Sequence, residues 1–156
     1  MNPTTPAEPS LDLLDALRIR LGPQAVLTGA DVPARNCNDW SASLPRTPIA
    51  VVRPLDAAGV SEAIATCRRA RLPFVPQGGL TGLCGGAAPE PGWVAISLER
   101  MTGIEEIDRA SATMTVRAGT PLETIQKAAD EASGVFTPDD RAMLRMIYLA
   151  VAKLSS

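Results

Sequence analysis

No histidine occurs anywhere in the 156 residues. That absence removes a Ser-His-Asp arrangement, any imidazole metal ligand and any imidazole acid or base at neutral pH. Aromatic residues are scarce at 3%, and 15 basic side chains against 17 acidic ones leave a net charge of -2. A nucleic-acid surface needs clustered cations and stacking rings, so that class of partner is set aside. Cysteine is limited to Cys37, Cys67 and Cys84, an odd number with no C-x-x-C spacing. Neither a disulfide framework nor a zinc site is expected, and a reducing, cytoplasmic setting is. Long hydrophobic runs are missing too: the longest, Met146–Ala152, falls far short of the roughly 18 residues a membrane span requires. Residues 1–9, rich in Pro and Thr, carry neither a basic n-region nor an apolar h-region, so no export signal is expected and the stretch is read as disordered.

What is present suits a globular chain: 46% hydrophobic and 21% charged residues, with a length that fits one compact domain. Ser10 reads as the N-cap of a helix reaching Leu21, with Leu14, Leu17 and Leu21 at helical spacing and Gly22-Pro23 as its stop. From Leu27 to Pro48 no period holds, and an ordered loop around Trp40 is expected. Ile49–Val52 is uniformly apolar, as in a strand covered on both faces. Asp56 then caps a helix whose apolar face is Val60, Ala63, Ile64 and Cys67, while Glu62, Arg68 and Arg69 face water. Leu72–Pro76 reads as a second strand, completing a parallel β-α-β unit. Further strands are expected at Trp93–Leu98, Gly103–Ile107 and Met114–Ala118, the last two joined by a turn at 109–112. Thr120-Pro121-Leu122-Glu123 has the form of a capping box, opening a helix with Leu122, Ile125, Ala129 and Ala132 on one face and Gly134 as its end. Residues 140–156 form another amphipathic pattern, with Leu144, Ile147, Val151 and Leu154 in one stripe. The fold class is therefore α+β, a parallel β-α-β unit extended by antiparallel strands.

The signal for chemistry follows the second strand. Pro76-Gln77-Gly78-Gly79-Leu80-Thr81-Gly82-Leu83-Cys84-Gly85-Gly86 places five glycines within nine residues. So bare a run costs backbone entropy and is expected where the main chain turns with positive φ or approaches a ligand closely. Successive N–H groups without side chains can also form a nest for a phosphate or pyrophosphate. A plain turn is the alternative. The position at the carboxyl end of a strand, after a β-α-β unit, favours a ligand. Two familiar phosphate loops do not fit, because no Lys-Ser/Thr follows the glycines and there is no G-x-G-x-x-G.

This glycine run resembles, together with Val52-Arg53-Pro54, Ile96-Ser97-Leu98-Glu99-Arg100-Met101, Met114-Thr115-Val116-Arg117-Ala118-Gly119 and Leu122-Glu123-Thr124-Ile125, a segment of a known family. That family is the PCMH-type FAD-binding domain of the vanillyl-alcohol oxidase superfamily, in the branch of FAD-linked D-2-hydroxyacid dehydrogenases (D-lactate, D-2-hydroxyglutarate and glycolate enzymes). The likeness runs over about residues 25–139 and implies that residues 10–139 are the N-terminal lobe of such a domain. It implies that Pro76, Gln77, Gly78, Gly79, Leu80, Thr81, Gly82, Leu83, Cys84 and Gly85 hold the FAD pyrophosphate, with a hydroxyl contact from Thr81. Ala118-Gly119 would end a strand on the flavin side, and Phe136-Thr137-Pro138-Asp139 resembles the start of the Pro-Pro-Asp-Pro segment near the isoalloxazine, which brings in Pro138 and Asp139. Leu80 departs from the family, which often has asparagine there. With no histidine for a covalent link, the FAD would be non-covalent.

After Asp139 the family continues into a second glycine-rich segment, a substrate cap and a region bearing catalytic and metal-binding histidines. Residues 140–156 have no counterpart there. The expectation is the FAD-binding portion of an oxidoreductase that turns a D-2-hydroxy acid into a 2-oxo acid, with no catalytic residue or metal ligand of its own and inactive in isolation. A natural truncation, a shifted reading frame and a fragment needing a second chain all fit that pattern. Two alternatives stand beside it: a non-catalytic nucleotide- or phosphate-binding module, and an interaction protein whose last helix pairs with a second chain or a second copy.

Other candidates are weaker. Cys84 could be activated by amide dipoles in the loop, but a small side chain beside a ligand explains it as well, and Cys67 belongs to the core. Arg68, Arg69 and Arg71 suit a helix C-terminus. Glu105, Glu106, Asp108, Asp139 and Asp140 read as surface or capping carboxylates, and Trp40 and Trp93 as core or contact residues rather than flavin neighbours.

Overall fold

Of the four apolar residues ending at Val52, the last three form a doubly covered strand. The computed structural model describes residues 11–41, 44–111 and 113–133. Its elements are α1 (Leu11–Leu21), β1 (Val26–Thr28), β2 (Ala50–Val52), α2 (Ala57–Arg69), β3 (Phe74–Gln77), β4 (Val94–Ser97), β5 (Ile104–Asp108), β6 (Thr113–Val116) and α3 (Leu122–Ser133). Expectations for residues 1–10 and 134–156, including the disordered start, the Ser10 cap, the stop at Gly134, Pro138, Asp139 and the last helix, lie outside the described residues. Chain length alone suggests one compact unit, yet the chain divides into two, residues 1–100 and 101–156.

In the first unit a four-stranded sheet has the order β1-β2-β4-β3. β2, β4 and β3 run parallel, and β1 is antiparallel to β2. The expected β2-α2-β3 crossover is present, with β4 inserted between its two strands. This placement is physically consistent: β2 and β4 are buried at every position, and the edge goes to β3, where Pro76 has no N–H to give a further neighbour. Alternation along the strands splits the core. Ala50, Val52, Val94 and Ile96 pack on one face with Leu14 and Leu17 of α1 and Ala63 and Cys67 of α2. Val51, Val75 and Ala95 pack on the other with Leu27, Val32 and Trp93. Burying the Val, Leu and Ile side chains among them contributes roughly 1.5–3 kcal/mol each.

Helix α2 begins where Asp56 accepts a hydrogen bond from Gly59 N–H at 2.8 Å. It ends in a Schellman turn, with Leu72 N–H donating to Cys67 C=O and Arg71 N–H to Arg68 C=O. The left-handed position there is Arg71 (φ 56°), so no glycine announces the stop. At the other end Gly59 sits against Pro54 and Leu21, where α1 meets α2.

In the second unit β5 and β6 pair only with each other, as an antiparallel hairpin with a register shift between Ile104 and Glu106. The antiparallel extension of the main sheet comes instead from β1, a three-residue strand too short to show a period. The Thr120 hydroxyl does not serve as a capping box: it bonds the carbonyls of Gly103 at 3.0 Å and Arg117 at 2.6 Å and accepts from Gly103 N–H. Along α3, Ile125 and Ala129 are buried as expected, whereas Leu122 is exposed.

Candidate cofactor site

The sheet ladder carries β3 to Gln77, and Leu98 N–H donates to Gln77 C=O at 2.9 Å, so the loop that follows starts from a fixed point at the carboxyl edge. From Gly78 to Gly86 the fold then stops using the backbone donors. Among the described residues, none of the N–H groups of residues 78–86 is donated to a protein acceptor. Polar main chain is normally paired, and here it faces outward, with Gly78, Gly79, Thr81, Gly82, Leu83 and Cys84 all exposed.

The glycines separate by cause. Gly85 has φ 75°, a conformation glycine adopts without strain. Gly82 lies beside Asp39, 3.6 Å from one carboxylate oxygen to the position of a Cβ. At Gly78, Gly79 and Gly86 a Cβ would meet nothing within 4 Å, and φ is not left-handed. Protein packing therefore gives no reason for three bare positions, whereas a phosphate seated on the amides does. Leu80, with φ 61°, occupies a left-handed position that disfavours a Cβ-bearing residue by roughly 1–2 kcal/mol, offset by the burial of its side chain.

The loop is held from beneath by residues that the sequence pattern does not single out. Gln77 is fully buried; its Nε2 donates to Asn36 C=O and Ala87 C=O, both at 3.0 Å, and its Oε1 accepts from Asn36 Nδ2 at 2.8 Å. Asp39 accepts from Ser41 N–H at 3.0 Å and from Ala87 N–H at 3.3 Å. Hydrogen bonding from Ser41 is the main reason its carboxyl lies below the usual range. The segment expected to form around Trp40 is thus organised by Asn36 and Asp39, and Trp40 itself is 71% exposed. Asn36 Oδ1 is buried without a partner.

At the same sheet edge, Glu99 after β4 pairs with Arg53 at 3.2 Å and Arg35 at 3.3 Å, and Arg100 donates to Arg53 C=O at 3.2 Å. Two guanidiniums on one carboxylate, with a third on the Arg53 carbonyl, leave local positive charge, favourable for an anionic ligand. The remaining candidates resolve into structure. Arg69 bonds Glu62 and Thr66, Arg68 is exposed, and Asp108 closes the β5–β6 turn through Ala110 and Ser111. Cys67 is core, its thiol pushed up to about 11 by burial; Cys84 is exposed. Trp93 packs on the sheet. An open groove of about 510 Å³ between α1 and α2 is lined by Arg20, Asp56, Gly59 and Glu62, but none of the loop residues reaches it. Its polar groups serve each other, since Arg20 pairs with Glu62 at 2.9 Å and Asp56 caps α2. Among the described residues no cluster fits a metal ion, and no helix is long and apolar enough to cross a membrane.

The chain is 35% identical over 100 residues to glycolate oxidase subunit GlcD of Bacillus subtilis (strain 168), covering 64% of this chain and 21% of that protein. It is 34% identical over 101 residues to a D-2-hydroxyglutarate dehydrogenase of Xanthomonas citri pv. viticola, covering 65% and 21%. It thus spans about a fifth of the length of these relatives. Among solved structures, 4-ethylphenol oxidase from Gulosibacter chungangensis superposes with a TM-score of 0.72 at 20% identity, over 84% of this chain and 26% of that one. p-Cresol methylhydroxylase does so with a TM-score of 0.67 at 20% identity, over 78% and 24%. These share the fold, the PCMH-type α+β architecture. Residues 48–145, which contain the whole glycine loop, match the family described as FAD binding domain, and this chain belongs to that family.

Proposed function

We propose that the chain binds FAD non-covalently through the peptide N–H groups of Gly78–Gly86 and is the N-terminal lobe of an oxidoreductase acting on D-2-hydroxy acids. The carrying observation is the row of backbone donors that the fold leaves free at glycines whose missing side chains meet no protein atom. Each such donor contributes a charge-assisted hydrogen bond of roughly 1.5–3 kcal/mol to a phosphate oxygen. Arg35, Arg53 and Arg100 add a favourable field at the same edge. Non-covalent attachment rests on the absence of histidine from the sequence. The relatives named glycolate oxidase subunit and D-2-hydroxyglutarate dehydrogenase support the substrate class.

Bound FAD supplies the redox chemistry, as acceptor of the hydride leaving a hydroxy acid. The residues of this chain bind and orient: the loop N–H groups grip the pyrophosphate, and Gln77 keeps the strand end in place. Pro138 and Asp139 belong to the proposed site through the sequence resemblance alone. Residues acting on substrate are assigned to the part of the relatives that this chain does not span, so the isolated chain is inactive. Three free cysteines support a cytoplasmic setting, and the 144–154 stripe is the proposed contact for a second chain or copy.

Flavin fluorescence and absorption titrations test the reading. Saturable FAD binding with ADP weaker by tenfold or more supports it. ADP binding as tightly as FAD supports a nucleotide-binding module instead, and sustained oxidation of D-lactate by the isolated chain with FAD contradicts the assignment of substrate chemistry elsewhere.

A further inference from the structure

The glycine loop leaves β3 at Gln77 and returns at Ala87, and these two residues are joined directly. Gln77 Nε2 donates to Ala87 C=O at 3.0 Å, while Asp39 Oδ2 accepts from Ala87 N–H at 3.3 Å. Both peptide groups flanking the Ala87 Cα are therefore pinned. The first pin leads back to the sheet through Gln77, which pairs with β4 in register with Ser97. The second leads to the segment after Cys37, whose own position is fixed by Asn36 bonding Gln77 from 41 residues away. Between the two ends the loop has little else: its backbone donors are free, and Ala88 N–H to Gly85 C=O at 3.2 Å is a turn at its exit.

The orientation of the Gln77 amide follows from the same bonds. Its nitrogen faces two carbonyl oxygens, which can only accept, so its oxygen must take the proton of Asn36 Nδ2. Every polar atom of this side chain is spent inside the protein, and the side chain is fully buried. Gln77 thus has no polar side-chain atom left for a ligand.

We propose that Gln77 and Asp39 are positioning residues, a clamp across Ala87 that closes the mouth of the glycine loop and holds its N–H groups in register before a ligand arrives. A bare glycine segment has the largest backbone entropy to lose on ordering, so a clamp that restricts it beforehand raises affinity without touching the ligand. Asp39 reaches the loop a second way, lying 3.6 Å from where a Cβ on Gly82 would stand. The consequence for FAD rests on the cofactor reading above; the clamp itself does not.

Two measurements on the full chain keep the claims apart. The first is the backbone 15N order parameter of residues 78–87 without ligand, for the parent, Gln77→Met and Asp39→Ala. The loop values are expected to fall from about 0.85 to below about 0.6 in both variants while β4 keeps its own. The second is FAD affinity by flavin fluorescence, expected to weaken about ten- to hundredfold in each. Gln77→Met leaves the Asn36 and Ala87 carbonyls and the Asn36 Nδ2 donor unpaired; if it unfolds, Asp39→Ala, which removes both acceptor oxygens and adds no bulk, decides. Unchanged loop order parameters in a folded Asp39→Ala overturn the clamp. A loosened loop with unchanged FAD affinity overturns its role in binding. If the parent ignores FAD, the cofactor reading fails and the order parameters alone judge the clamp.

Discussion

Replacing Gly79 separates a glycine kept for the fold from one kept for a ligand. A Cβ at Gly79 meets no protein atom within 4 Å, and the residue is not left-handed, so alanine there neither clashes nor strains. Gly79→Ala instead restricts the unfolded chain, a stabilisation of about 0.4–1 kcal/mol. At about 2–4 °C per kcal/mol for a chain of this size, the melting midpoint rises by about 1–4 °C. On the proposed binding mode the same methyl stands where the phosphate approaches the amides. Losing one charge-assisted hydrogen bond costs about 1.5–3 kcal/mol, or about 10- to 150-fold in Kd, and Gly79→Val, with two further carbons, abolishes binding. Gly59→Ala is the control with opposite signs. Its Cβ would lie 3.0 Å from Pro54 Cβ and 3.4 Å from Leu21 Cδ2, and because the proline ring cannot swing aside, the overpacking cost of about 1–3 kcal/mol outweighs the helix-propensity gain of about 1 kcal/mol, far from the loop. The midpoint therefore falls while FAD affinity holds. Thermal melts and fluorescence titration of the three variants check this. The reasoning is refuted if Gly79→Val binds FAD as the parent does, or if Gly79→Ala destabilises as much as Gly59→Ala.

Further outcomes follow from the same structure. With a chromogenic thiol reagent at pH 8, Cys84 reacts in seconds, whereas buried Cys37 and Cys67 react only on unfolding; mass mapping of the labelled peptides checks the order. The carboxyls of Asp39, Glu62 and Asp108 are all lowered in the fold, chiefly by hydrogen bonds from Ser41, Arg69 and Ser111. Their contribution is complete above the unfolded-state pKa, begins to be lost as pH falls through the usual carboxylate range and is gone below the lower folded values, so stability measured by urea titration declines across that acid window. If the stripe at 144–154 drives association, Ile147→Asp converts a dimer to a monomer, and an unchanged mass by light scattering rejects that contact.

The parts of the fold that local pattern carries were legible. β2 and the first three residues of β4 are continuous apolar runs because both faces are covered, and α2 announces itself through Asp56 and the spacing of Ala63 and Cys67. β1 has three residues between two short helical turns, too few for any period. The insertion of β4 between β2 and β3 is a property of sheet order, for which no local stretch codes. At the site, the glycines were visible in the chain, yet Asn36 and Asp39 were not. They act across 41 and 48 residues, from a stretch rich in Pro, Asn and Asp whose polar residues look like any loop. Trp40 drew attention by its size, but the residues that organise the segment are its buried polar neighbours. Thr120 misled for a similar reason: the spacing to Glu123 fits a cap, but its hydroxyl has nearer partners in Gly103 and Arg117.

The most direct test of the central claim is an amide chemical-shift map of the isotopically labelled chain titrated with FAD. Saturable shifts are expected on the N–H groups of Gly78–Gly86, moving downfield as they meet phosphate oxygens, with Ala63 and Cys67 in α2 unmoved. Shifts gathered instead at the groove of Arg20 and Glu62, or none at saturating FAD, would contradict it.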